Sequence, residues 1–143
     1  MREIKFRGKR IDNGEWVYGD LIHYRDNDCR ILERNFGLWD ILEAGNEVDP
    51  DTVGQYTGLK DENGVDIYEG DIIVPHSTWL YQMKLVVNFG IGTFDSGIYE
   101  FTGFYLTDEN GRQGEDQYGL YADGKYNVIG NIYDNPELAE AKE

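Results

Sequence analysis

The sequence predicts an all-β fold, mainly antiparallel, closing into a small barrel or packing as a sandwich. Three observations carry this. Apolar residues alternate with polar ones in runs of five to ten. Asn-Gly and Asp-Gly pairs punctuate the runs where hairpin turns are needed. Tyr (11 residues) and Gly (18) are heavily used, a mixture that suits strands and tight turns better than helices.

Taken in order, Glu3 to Lys9 alternates Ile4 and Phe6 against charged neighbours, a half-buried first strand. Its basic residues, with Arg2 and Arg10, read as the outer positions of an edge strand, where charge discourages stray pairing. Asp12-Asn13-Gly14 turns the chain into Glu15–Tyr24, with Gly19 expected at a bulge or a close backbone approach. Ile4, Phe6, Trp16, Tyr18 and Leu21 are the expected core of this half. Cys29–Leu32 is a short strand, and Cys29, the lone cysteine, reads as a small core residue. Phe36–Leu42 is apolar around Trp39 and reads as strand or irregular structure. Gly45–Asp51 reads as a polar loop and subdomain boundary.

The densest instructions lie in 52–74, TVGQYTGLKDENGVDIYEGDIIV. Val53 to Gly58 alternates as a strand with Tyr56 on one face. Asn63-Gly64 suits a type I′ hairpin turn, which needs positive φ twice. Val65 to Tyr68 is the returning strand. Glu69-Gly70-Asp71 reads as a turn, with the Asp71 carboxylate accepting nearby backbone N–H groups. Ile72-Ile73-Val74 is a buried strand that Pro75 should end or place at an edge.

QYTGLKDENGVDIYEGDII resembles the signature of the YopX family, small proteins encoded in phage and prophage genomes. MREIKFRGKR at the start and VIGNIYDNPEL near the end are similar to that family's two ends. The resemblance implies a β-rich fold and a phage origin, and carries over no established activity. Its motif residues here are Gln55, Tyr56, Thr57, Gly58, Leu59, Asp61, Gly64, Ile67, Tyr68, Glu69, Gly70 and Asp71, read as structural. It implies one domain over 1–143. The chain pattern suggests an N-terminal β subdomain (1–48), a barrel-like core (49–135) and a helical tail (136–143).

Beyond that stretch, Tyr81–Phe89 places Tyr81, Met83, Leu85, Val87 and Phe89 on one strand face. Gly90 and Gly92 read as a turn, Phe94 as the start of a weaker strand, and Ile98–Thr107 as a strand interrupted at Gly103. Asp108–Gly111 and Asp123-Gly124 are further turns before Tyr126–Tyr133. Asn135 and Pro136 fit the N-cap and first position of a short helix. The spacing of YEGDIIV and LVVNFGIGTF suggests an SH3-like stringing of strands.

Composition bounds function. Hydrophobics at 40% exclude a disordered chain. A net charge of −15 disfavours nucleic acid and anionic membrane as partners, since both are polyanions. No segment approaches the ~20 apolar residues of a membrane span, so the expected place is the cytoplasm of a bacterial host. Asp61, Asn63 and Asp66 begin like a calcium loop, but position twelve from Asp61 is Ile72, where that loop needs Glu. His23 and His76 have no zinc spacing, and no nucleotide-binding glycine motif occurs. No catalytic, cofactor or metal residues are therefore assigned. The expected function is a non-enzymatic accessory protein that binds a protein partner or self-associates, with homo-oligomers allowed. The alternatives are an acidic DNA mimic that inhibits a host DNA-binding protein, an enzyme whose carboxylate/His site is assembled from distant residues, and a single-strand-binding barrel.

Overall fold

A computed structural model of the chain describes residues 2–34, 37–38, 45–76, 83–94, 99–108, 118–120 and 125–139. The chain forms two compact units, Met1–Gly58 and Leu59–Glu143. The fold is all-β, and the strand pairings among the described residues are antiparallel.

In the first unit β1 (Phe6–Lys9), β2 (Trp16–Arg25), β3 (Asp28–Leu32), β4 (Asn46–Val48) and β5 (Gly54–Lys60) take the order β4-β3-β2-β1-β5. β1 is therefore not an edge strand. β5 returns to it from some fifty residues away, Phe6 opposite Gln55, and the Tyr56 N–H donates to the Lys5 carbonyl at 2.9 Å. Arg7 is buried accordingly, at 5% exposure. β4, an outer strand, curls back to the end of β1 through a single bridge, Arg10 to Val48. That bridge is not a ladder, and neither sheet of the described residues closes as a barrel.

The core of this unit is Val17, Cys29, Ile31 and Val48, with Phe6, Leu21 and Val53 packed against it. Val17, not Trp16 or Tyr18, faces inward. Period-two alternation then puts Trp16 and Tyr18 on the opposite face, where Trp16 lies under Arg7 and Lys9 (4.6 and 5.5 Å to the ring centre). Ile4 and Tyr18, expected in the core, are both 46% exposed. Gly19 makes the expected close approach: a Cβ there would lie 2.1 Å from the Leu32 carbonyl oxygen. The segment 45–51, expected as a loop, contains β4 and the start of a 3-10 turn, Pro50–Thr52. The apolar segment 36–42 lies outside the described residues except for 37 and 38.

The last residues of β5 lead, in the second unit, through Asp61–Gly64 towards β6 (Asp66–Tyr68). β7 (Asp71–Pro75), β8 (Leu85–Phe94), β9 (Tyr99–Thr107), β10 (Tyr118–Gly119) and β11 (Tyr126–Asn131) form a sheet ordered β10-β9-β8-β7-β11. Its core is Ile67, Ile73, Leu85, Val87, Leu106 and Tyr126, with Leu59, Met83, Phe104, Leu120 and Val128 against it. β7 is an interior strand between β8 and β11, and Pro75 ends it without needing a ladder donor.

Three expectations are corrected here. The Asn63-Gly64 turn is not type I′, because Asn63 does not take positive φ while Gly64 does, at +83°. Gly64 N–H donates to Asp61 O and Asp61 N–H to Val65 O. This is the three-residue loop in which a turn hands over to a left-handed glycine bulge. β8 runs straight through Gly90 and Gly92, and β9 through Gly103, because Gly90 pairs with Gly103 in an unbroken register from Val86–Thr107 to Phe94–Tyr99. Over its described residues the helical tail is one 3-10 turn, Pro136–Ala139; the Asn135 side chain accepts from Asn131 N–H instead of capping forward. Eight residues cannot nucleate an independent helix. The turns expected at 109–111 and 123–124, the strand residues 81–82 and the tail beyond 139 lie outside the described residues.

Candidate functional site

The motif residues divide between the units, Gln55 to Gly58 in the first and Leu59 to Asp71 in the second. Tyr56 is buried, with the Lys5 ammonium 4.6 Å from its ring centre. Gln55 and Thr57 are half-buried and Gly58 is exposed. Ile67 and Tyr68 are buried.

Two carboxylates of the motif are buried, Asp61 at 7% and Asp71 at 2% exposure. Asp61 Oδ1 accepts from the N–H groups of Asn63 and Val65, both at 2.9 Å, and Oδ2 from Val128 N–H at 3.1 Å. One side chain thus shapes the turn and ties it to β11. Burial pushes its carboxyl up, but the N–H bonds from Val65, Val128 and Asn63 outweigh that and hold it below the usual carboxylate range. A calcium-loop role would need these oxygens, and backbone donors already occupy them.

Asp71 Oδ2 accepts from Tyr68 N–H at 2.8 Å, the local bond expected from the Glu69-Gly70-Asp71 step. Gly70 sits in the turn at φ +91°, open to glycine at little cost. Its N–H donates to Val87 O, and its carbonyl accepts from Ile132 N–H. The turn is thereby stitched to β8 and to the residue after β11.

Two polar groupings escaped the sequence reading. Glu62 accepts from Asn127 Nδ2 and meets His76 Nδ1, both at 3.1 Å, and Asn63 donates to Asn127. The His76 contact, then Asn127, lowers the Glu62 carboxyl. Sixty-odd residues separate Glu62 and Asn63 from Asn127, so no local spacing could announce the grouping. His76 is exposed, a surface clasp between a turn and the end of β7. In the first unit an open cleft of about 430 Å³ is lined by Glu3, Lys5, Tyr18, Gly19, Glu33 and Arg34. Its cations are engaged internally: Arg34 bonds Glu3 at 3.1 Å and the Ile4 carbonyl, and Lys5 lies 3.4 Å from Glu3. His23 bonds the Asp26 carbonyl at a hairpin tip. Among the described residues, no cluster of three His, Cys, Asp or Glu side chains could hold a metal, and no helix is long and apolar enough to cross a membrane.

The sheets and the motif define a class: an all-β protein whose two buried motif carboxylates, Asp61 and Asp71, are turned onto its own backbone. The family described as YopX protein matches residues 5–140, and the chain belongs to the YopX family. A crystal structure of protein EF1440 from Enterococcus faecalis aligns with it at 22% identity and a TM-score of 0.45, covering 98% of this chain and 100% of that one. No curated protein matches the chain.

Proposed function

We propose that the protein is a non-enzymatic phage or prophage accessory module of the host cytoplasm, acting by binding protein, a second copy of itself included. The observation that carries this reading is apolar side chains left in water on regular strands. Phe89 is 49% and Ile91 67% exposed, two residues apart on one face of β8. Aromatic and aliphatic groups displayed together on a rigid element are what protein contacts are built around.

The fate of the two buried motif carboxylates supports binding over chemistry. Asp61 and Asp71 are spent on backbone donors. Asp12, Asp28 and Asp66 pair with Arg10, Arg30 and Lys60. Affinity capture of tagged protein from nuclease-treated host lysate, alongside a second, differently tagged copy, tests the reading. Retention of either a host protein or the second copy is expected. Recovery of bait alone, with a monomeric mass, overturns it.

A further inference from the structure

We propose that the outer stretch of β8, residues 89–94, is a self-association edge, on which β8 of one copy pairs antiparallel with β8 of another. The proposal deepens the protein-binding reading and rests on it. Among the described residues, β7 reaches β8 only through Ile72–Val86 and Ile73–Leu85, with Gly70 N–H adding a bond to Val87 O. Among the described residues, β10 reaches β9 only at Tyr105 and Leu106. Yet β8 and β9 stay paired out to Phe94–Tyr99. Over 89–94 and 99–104, therefore, the hairpin is a two-stranded ribbon with no further strand beside it among the described residues.

Three properties of this ribbon point to a second copy as its occupant. The first is that the core face continues past the core. Along one face of β8, exposure rises from 0% at Leu85 and 1% at Val87 to 49% at Phe89 and 67% at Ile91. Phe104, opposite Phe89, stacks on it edge-on at 4.8 Å. The second is that the usual protection is missing. Exposed edges are blunted by Lys, Pro or inward charges; β8 itself contains none of these, and the nearest charge is Glu100 of β9, opposite Thr93 on the face of Ile91. The third is charge. Glu100 is the single charged residue in the two strands, in a chain that is 29% charged and carries −15. Two copies of so acidic a chain repel wherever carboxylates meet, and can approach at low cost only where charge is absent. A basic partner would instead be drawn to the carboxylates. An antiparallel β8–β8 pairing is two-fold symmetric and needs only one self-complementary strand.

Light scattering of the intact chain across a concentration series tests this, with Ile91→Lys and the control Val65→Lys. Val65 is an exposed residue of the turn before β6, 49% accessible. Wild type and V65K are expected at twice the 16.5 kDa chain mass, and I91K at once that mass with an unchanged circular dichroism spectrum. Amides of 89–94 should exchange more slowly in the dimer than in I91K. A wild-type monomer at high concentration overturns the inference, even if lysate capture still yields a host protein and the broader reading stands. A dimer that survives in I91K overturns it too.

Discussion

Asp61 holds three backbone N–H groups with two oxygens, so replacing one oxygen by an amino group has a definite cost. In Asp61→Asn the amide can offer Oδ1 to Asn63 and Val65, but its NH₂ then faces the Val128 N–H, donor against donor. A buried donor without an acceptor costs about 1–3 kcal/mol, and a drop of that size in unfolding free energy at neutral pH is expected by urea titration. The same residue sets a pH dependence. Its carboxyl is lowered in the folded chain, so its contribution is fully present above the unfolded value, near 4, and is lost as pH falls through the folded one. Asn cannot titrate there. The stability gap between wild type and variant should therefore narrow from pH 7 to pH 3, and a gap independent of pH would mean that the carboxylate's charge does not matter. Asp71 and the Tyr68 N–H follow the same local logic, one that the sequence announces because donor and acceptor stand three residues apart.

Strands and turns were legible where their cause is local. Asp12-Asn13-Gly14, the Asp61–Gly64 loop and the Pro75 stop all fall where turn chemistry puts them, because those residues choose their own backbone angles. The partner strand is another matter. β1 looked like an edge because its Lys and Arg alternate, and only the return of β5 makes it interior. Gly90 and Gly92 looked like a turn because glycine permits one, yet Gly103 lies opposite and the ladder continues. Which side chain in the candidate surface is buried likewise depends on how far the sheet reaches. Leu85 and Ile91 belong to the same face by periodicity, and nothing in their spacing says that cover ends between them. That boundary gives an element-scale prediction. Leu85→Ala should cost about 2–5 kcal/mol, as a cavity in a packed core does. Ile91→Ala should change monomer stability by no more than about 0.5 kcal/mol. Chemical denaturation at low protein concentration separates the two, and equal losses would mean that the outer ribbon is packed as firmly as the core.

At the scale of the whole molecule, the charge of −15 separates polar from apolar modes of binding by the sign of their salt dependence. A complex between carboxylates and a basic partner gains its energy from opposite charges, so added salt screens it and weakens it. Pairing through the β8–β9 ribbon buries apolar groups while bringing two like-charged bodies together. Salt then screens only the repulsion and leaves the apolar term intact. Self-association should therefore tighten as sodium chloride rises from roughly 0.05 to 0.5 M, where the screening length shrinks from about 14 Å to about 4 Å. Analytical ultracentrifugation across that range reads the dissociation constant directly. A constant that falls with salt, and a dimer absent in I91K at every salt, would place the contact on the β8–β9 ribbon. A constant that rises would mean that the copies meet through opposite charges, and β8 would then be the wrong strand.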